Sequence, residues 1–246
     1  MANNYKIKFA GDCGITIEFE NTISEDVNRQ VVELKNAVEN NETDGIIALV
    51  PTYRSLLIQY DSSKITYQTL IEFISQAIKN IGRNKSTKSK IYVIPVCYGG
   101  DYGPDIETVS TENALDISSV IDIHSSKDYR IYMLGFTPGF PYLGGMDKRI
   151  ETARLEKPRT KIYAGSVGIA GGQTGIYPID SPGGWQIIGR TPLKLFDRTK
   201  GQPFLLEAGA YIRFKPIDVD TFNKIEAEIE QGVYRPEIEI SQKKGV

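Results

Sequence analysis

The chain has 246 residues but only one histidine, two cysteines and one tryptophan. A single histidine excludes any metal site built on a histidine pair, and Cys13 and Cys97 lie too far apart for a Cys-x-x-Cys motif, so no metal ligands are expected. Two lone cysteines read as buried thiols in a reducing compartment. No run approaches the ~18 apolar residues of a membrane span. The opening MANNYKIKF has no apolar stretch of signal-peptide length, so a cytoplasmic location without membrane attachment is expected. Basic excess is missing too. Lys and Arg number 29 against 31 Asp and Glu, a net charge of −2, which leaves no electrostatic footprint for nucleic acid. No Lys-Ser or Lys-Thr follows the glycines, and there is no Gly-x-Ser-x-Gly elbow. A Walker-type phosphate loop and a triad hydrolase are therefore excluded.

What is present falls into two parts. YKIKFA and ITIEFE alternate polar and apolar residues around the turn GDCG, as half-buried strands do. Ser24 is placed to cap a helix that carries Val27, Val31, Leu34 and Val38 on one face. GIIALVP and SLLIQYD read as strands. A second helix carries Leu70, Phe73, Ile74, Ala77, Ile78 and Ile81, with Gly82 beyond it as a stop. This order predicts a small α+β sandwich over residues 1–83. RNKSTKSK is wholly polar, and residues 84–90 read as a linker. From 91 to 246 the chain is dominated by short strands, with two short helices near 105–125 and a helix near the end. Pro95 inside IYVIPVCY suggests an edge or a bend. About half of the 23 glycines fall between Gly135 and Gly189, which implies many turns and close backbone approaches. LKLFD and FLLEAG also read as strands. The sum is a closed or nearly closed β-barrel-like domain.

Three stretches can carry chemistry. LGFTPGFPYLGG places Phe136, Phe140 and Tyr142 around Pro138, Gly139 and Pro141, where neither a helix nor a central strand can form. The rings either form a binding surface or fold over an open barrel end. In the glycine-rich run from 164 to 192, Gly165, Gly168, Gly171, Gly172 and Gly175 can offer backbone amides to an anion. Ser166, Gln173, Thr174 and Tyr177 add polar side chains, with Trp185 and Arg190 nearby. The same glycines suit tight barrel hairpins. His124, at a predicted helix end, fits either a proton shuttle or a helix cap. Arg159 and Lys161 follow Pro158 and can meet a carboxylate or phosphate, or form a solvated basic turn.

VPTYRSLLIQYD, YGGDYGPD, HSSKDY, LGFTPGFPYLGGMD, KPRTKIYAGSVGIAGGQTGIYP and SPGGWQIIGRTPLKLFD occur in this order. The set resembles the family of 5-oxoprolinase B subunits, which includes the Kip-type sensor-kinase inhibitors and is also called allophanate hydrolase subunit 1. The resemblance spans about residues 5–217. It implies a small N-terminal α+β domain and a cyclophilin-like β-barrel domain. It also implies two partners, the A and C subunits of 5-oxoprolinase, the latter cyclophilin-like, in a complex that opens 5-oxoproline to glutamate at the expense of ATP. The Kip branch implies a second role: binding a sporulation sensor histidine kinase and blocking its autophosphorylation. On these grounds His124, Arg159 and Gln173 are expected to be catalytic. Gly165, Ser166, Gly168, Gly171, Gly172, Thr174, Tyr177 and Arg190 are expected to bind ligand. Phe136, Pro138, Phe140, Pro141, Tyr142 and Trp185 are expected to meet a partner.

Overall fold

The computed structural model describes residues 5–81 and 89–241, and these form two compact units. Of the segment expected as a linker, 84–88 lies outside the described residues, and Ser89 and Lys90 open a strand. Of the final residues SQKKGV, which read from their polar sequence as a frayed end, only Ser241 is described, and it ends a strand.

The first unit contains β1 (Lys6–Phe9), β2 (Gly14–Glu18), α1 (Glu25–Glu39), β3 (Ile46–Pro51), β4 (Ser55–Tyr60) and α2 (Tyr67–Asn80). The strands make an antiparallel sheet in the order β1-β2-β4-β3. Alternation aims Ile15, Ile17, Leu56 and Ile58 at one face, where they meet Val31 and Leu34 of α1 and Leu70 and Ile74 of α2. Ser24 caps α1 by accepting from the Val27 amide, and Thr66 caps α2 through the Thr69 amide.

The second unit contains β5 (Ser89–Tyr98), α3 (Ile106–Glu112), α4 (Ile117–Ser125), β6 (Asp128–Leu134), β7 (Pro141–Gly144), β8 (Arg159–Ile162), β9 (Ser166–Ala170), β10 (Gln173–Ile176), β11 (Ser181–Gly183), β12 (Gln186–Arg190), β13 (Tyr211–Ile217), α5 (Val219–Glu230) and β14 (Ile238–Ser241). The main sheet runs β10-β9-β12-β5-β13-β6-β7, and its two end strands lie against each other, so it is nearly closed into a barrel. β8 and β11 form a separate two-stranded ribbon. The mixed α/β class and the barrel-like sheet are as the sequence predicts.

β5 is central, not an edge. It pairs with β13 along one side, while on the other it pairs first with β14, up to Tyr92, and then with β12, from Cys97. Pro95 stands in the gap between those two partners, where the missing N–H costs no ladder bond. LKLFD and FLLEAG, expected as strands, make only the bridge Phe196↔Phe204. β14 was not legible: IEIS is short and follows a turn.

The barrel interior is packed by Ile94, Val96, Ile131, Val167, Ile169, Ile188, Ile212 and Phe214, among others. A second, smaller group of Phe140, Ile162, Ala170, Tyr177, Trp185 and Ile187 lies apart from it, with Tyr142 packed alongside.

Candidate functional site

The loop that follows Leu134 is built by two turns in succession and a bond that closes them. The Thr137 amide donates to Gly135 O at 2.7 Å, closing a three-residue turn around Phe136. Phe136 has φ +63°, a region a bulky side chain enters only at a cost. The Phe140 amide then donates to Thr137 O at 3.1 Å, with Pro138 and Gly139 (φ +87°) at the centre of that turn. Proline followed by a residue of positive φ is the type II arrangement, and only glycine takes the second place without strain. Finally the Gly135 amide donates to Phe140 O at 3.0 Å and ties the ends together. The backbone is braced at every step.

This brace separates the aromatic residues. Phe140 points inward and is 3% exposed. Its ring meets Tyr142, Tyr177 and Trp185 edge to face, with centroids 5.4, 5.5 and 5.5 Å away. Phe136 points outward at 73% exposure, its ring edge to face with Phe140 at 5.9 Å. Pro138 is exposed beside it, and Tyr142 is half-buried. The expected partner surface is therefore corrected. Phe140, Pro141 and Trp185 are buried, because the brace turns them into the aromatic group, and Phe136 and Pro138 are the presented residues.

Strained backbone persists where surrounding structure overdetermines it, and it concentrates at functional positions. The strain at Phe136 gives a sharp prediction. Phe136→Gly is expected to be more stable than Phe136→Ala by about 1 kcal/mol, because glycine accepts positive φ and alanine does not. Urea unfolding of the two variants checks this. Equal stabilities would mean that the turn relaxes freely.

The glycine-rich run carries the second correction. Gly165 N donates to Tyr177 O at 2.7 Å, Ser166 N to Tyr163 O at 3.1 Å, and Gly171 N to Thr152 O at 2.8 Å. Gly168 and Gly175 are opposed in the β9–β10 ladder. These amides are spent on backbone carbonyls and do not form an anion cradle. The glycines serve packing: a Cβ on Gly175 would lie 3.0 Å from the Phe140 ring and 3.1 Å from the Trp185 ring. Gly172 stays exposed at the tip of the β9–β10 hairpin. Arg190 donates through Nε to Ala164 O at 2.9 Å and lies 5.5 Å from the centre of the exposed Tyr163 ring.

His124 is the third correction. It is fully buried, its ring stacked on Phe214 at 4.4 Å. Nδ1 is 2.8 Å from the Tyr98 hydroxyl and Nε2 is 2.8 Å from Thr174 Oγ1, which in turn donates to Gly168 O at 3.1 Å. Thr174 has one proton and gives it to Gly168, so Nε2 must donate to Thr174 and Nδ1 must accept from Tyr98. Burial lowers the His124 pKa to about 3, and burial holds the Tyr98 hydroxyl well above its usual value. A neutral ring with both nitrogens engaged, sealed from water, cannot shuttle protons to a substrate. Thr174 is 1% exposed and belongs to the same network, so it is not placed to touch a ligand.

Arg159 serves a different network. Its Nη2 donates to Asp105 Oδ1 at 2.6 Å, and the other oxygen of Asp105 accepts from the Ile187 amide at 2.6 Å. Asp105 is 7% exposed and binds α3's start to β12. Sequence reasoning missed it, since an acidic residue just before a helix reads as a cap; here the carboxylate makes no cap bond. Gln186 was missed too. It is buried on the interior face of β12, with Nε2 donating to Ala153 O at 3.0 Å and Oε1 lacking a partner among the described residues. Gln173 is half-buried where β10 begins. Among the described residues no group of three or more His, Cys, Asp or Glu is placed to hold a metal ion. No helix among them is long and apolar enough to cross a membrane.

Residues 5–206 match the family described as "Carboxyltransferase domain, subdomain C and D". Along nearly its whole length the chain is also similar to the B subunit of 5-oxoprolinase from Bacillus subtilis (strain 168). The identity is 42% over 239 residues, covering 93% of this chain and 99% of that one. The chain belongs to the carboxyltransferase subdomain C and D family, among its 5-oxoprolinase B-type members.

Two solved structures place the family's fold on this chain. A conserved uncharacterized protein from Pyrococcus horikoshii is 48% identical, with a TM-score of 0.53, over 88% of this chain and 100% of that one. TTHA0988 is 32% identical with a TM-score of 0.74 over 83% of this chain, which spans 40% of the TTHA0988 chain. The family resemblance read from the ordered motifs is thus confirmed, while the roles drawn for His124 and Thr174 are not compatible with their burial.

Proposed function

We propose that this chain works as the B subunit of a 5-oxoprolinase, one component of a multi-subunit, ATP-dependent hydrolase that opens 5-oxo-L-proline to L-glutamate. The observation that carries this reading is the 42% identity to a 5-oxoprolinase B subunit across 99% of its length. The lactam is unreactive because its nitrogen lone pair is delocalised into the carbonyl. Transfer of the ATP γ-phosphoryl group to the amide oxygen breaks that delocalisation. Water then attacks the carbon, the C–N bond opens, and glutamate, ADP and phosphate leave.

Within the complex, Phe136 and Pro138 meet one of the two partners, the A or the C subunit. A ring held on a braced turn loses little conformational freedom on docking, which supports an anchor role. With His124 sealed inside, proton transfer falls to groups outside the barrel interior. Arg159, whose side chain is 33% exposed, and Gln173 remain candidates to face the substrate.

Co-expression with the A and C subunits tests the reading. ATP-dependent glutamate release is expected only when this chain is present, and the full rate from those two subunits alone would overturn it. In an assembled complex, Arg159→Ala and Gln173→Ala are expected to lower turnover. Unchanged turnover in both would remove these residues from the site.

A further inference from the structure

A cleft of about 780 Å³ lies in the second unit, between the loop that follows Leu193 and the turn after α5. That volume is in the range of small-molecule sites. Its charge runs against the rest of the chain. The protein carries −2 overall, yet the cleft is lined by Lys90, Lys194, Lys200 and Arg235 against two carboxylates, Asp197 and Glu207. Local pairing absorbs only two of these four cations. Lys90 is paired with Glu207 at 3.0 Å and Lys200, more loosely, with Asp197 at 3.9 Å, which leaves Lys194 and Arg235 as the excess. Lys194 makes no ion pair within 4 Å among the described residues, and acts on Asp197 only through space, as a minor contribution to that carboxyl's lowered pKa. Arg235 is held by Nη1 on two backbone carbonyls, those of Gly232 and Tyr234, both at 3.1 Å, and meets no carboxylate among the described residues.

Other lining residues are of the opposite character. Leu193, Leu206 and Tyr92 in the lining are each 4% exposed, Phe204 is 45% exposed with its ring tilted against Phe196 at 5.3 Å, and Tyr234 adds a second ring. The Tyr92 hydroxyl is pushed up to about 12, by burial first and by Glu207 second, so it stays a neutral donor. Cations around a low-dielectric wall focus field and concentrate anions. Apolar side chains and two rings in one lining suit a flat apolar body. An excess of two positive charges matches a dianion rather than a monocarboxylate.

We infer that this cleft binds a small aromatic phosphate: a flat apolar ring system seated between Phe204 and Tyr234, with its phosphate held by Lys194, Lys200 and Arg235. Nucleoside phosphates and simple aryl phosphates share this chemistry. The test is equilibrium titration of the full chain with ADP, phenyl phosphate, adenosine and inorganic phosphate. ADP or phenyl phosphate binds saturably, at least about tenfold more tightly than adenosine or inorganic phosphate, and more weakly as salt rises. If ADP wins over phenyl phosphate, the ligand is a nucleotide; the reverse order marks a simpler aryl phosphate. Both lysines are exposed, so the double variant Lys194→Gln/Lys200→Gln keeps its unfolding midpoint but loses at least about tenfold in affinity. Phe204→Ala weakens the aromatic ligands and leaves inorganic phosphate unchanged. No saturable binding at millimolar ligand overturns the inference. So does binding of inorganic phosphate as tight as that of the aromatic phosphates, or full affinity in the lysine double variant.

Discussion

Stability of the second unit is expected to fall by about 2 kcal/mol between pH 7 and pH 5, from His124 alone. Its ordinary pKa is 6.5, and burial lowers it to about 3 in the folded chain. The unfolded chain therefore binds the proton first. The contribution is complete above 6.5 and is lost as the pH falls from there towards 3, reaching about 5 kcal/mol at the limit. The attribution is clean because this is the only histidine, and most carboxylates titrate below the window used. Trp185, the only tryptophan, lies in the same unit and reports its unfolding. Urea midpoints followed by Trp185 fluorescence should drop from pH 7 to pH 5 in the native chain. In His124→Gln, which keeps a donor and an acceptor but cannot titrate, the drop should largely vanish. The same drop in both proteins would show that the Tyr98–His124–Thr174 chain admits water.

Phe140→Ala is expected to cost about 3–5 kcal/mol. The ring is 3% exposed and is the hub of the aromatic group, touching Tyr142, Tyr177 and Trp185. Truncation removes its burial and leaves a void against Gly175, whose missing side chain exists to admit that ring. The neighbours cannot collapse easily, because β7 and β10 are fixed by their own ladders. Urea unfolding gives the cost, and Trp185 emission should shift to the red as water enters beside it. A loss under about 1 kcal/mol would mean that the loop carries Phe140 loosely. Phe136→Ala, two turns away in the same loop and exposed, should cost far less.

These paired outcomes show what the sequence could and could not disclose. The helices of the first unit were readable, since Ser24 is a cap and the apolar residues of both fall at helical spacing. The barrel was readable from short strands and dense glycine. The roles of the rings in LGFTPGFPYLGG were not, because Phe136 and Phe140 look alike in sequence. Their separation comes from a positive φ at one and a turn closed by Pro138 and Gly139 before the other. Glycines that admit side chains and glycines that open amides leave the same trace in a sequence. Only the partners of Gly165 and Gly171 and the rings over Gly175 distinguish them. His124 deceived for a related reason: its helix-end position suggested solvent, while the last turn of α4 faces the interior. Asp105 left no signal, because its partners Arg159 and Ile187 are 54 and 82 residues away.

The most direct test of the central claim is co-elution of this chain with its co-expressed partner subunits on gel filtration, comparing the native chain with Phe136→Asp. The native chain should elute in the complex. The variant should elute free while keeping its Trp185 fluorescence and unfolding midpoint, since the ring it loses was packed on almost nothing. A variant that still enters the complex and supports full glutamate release would contradict the claim that this braced, outward ring is what the second unit presents to its partner.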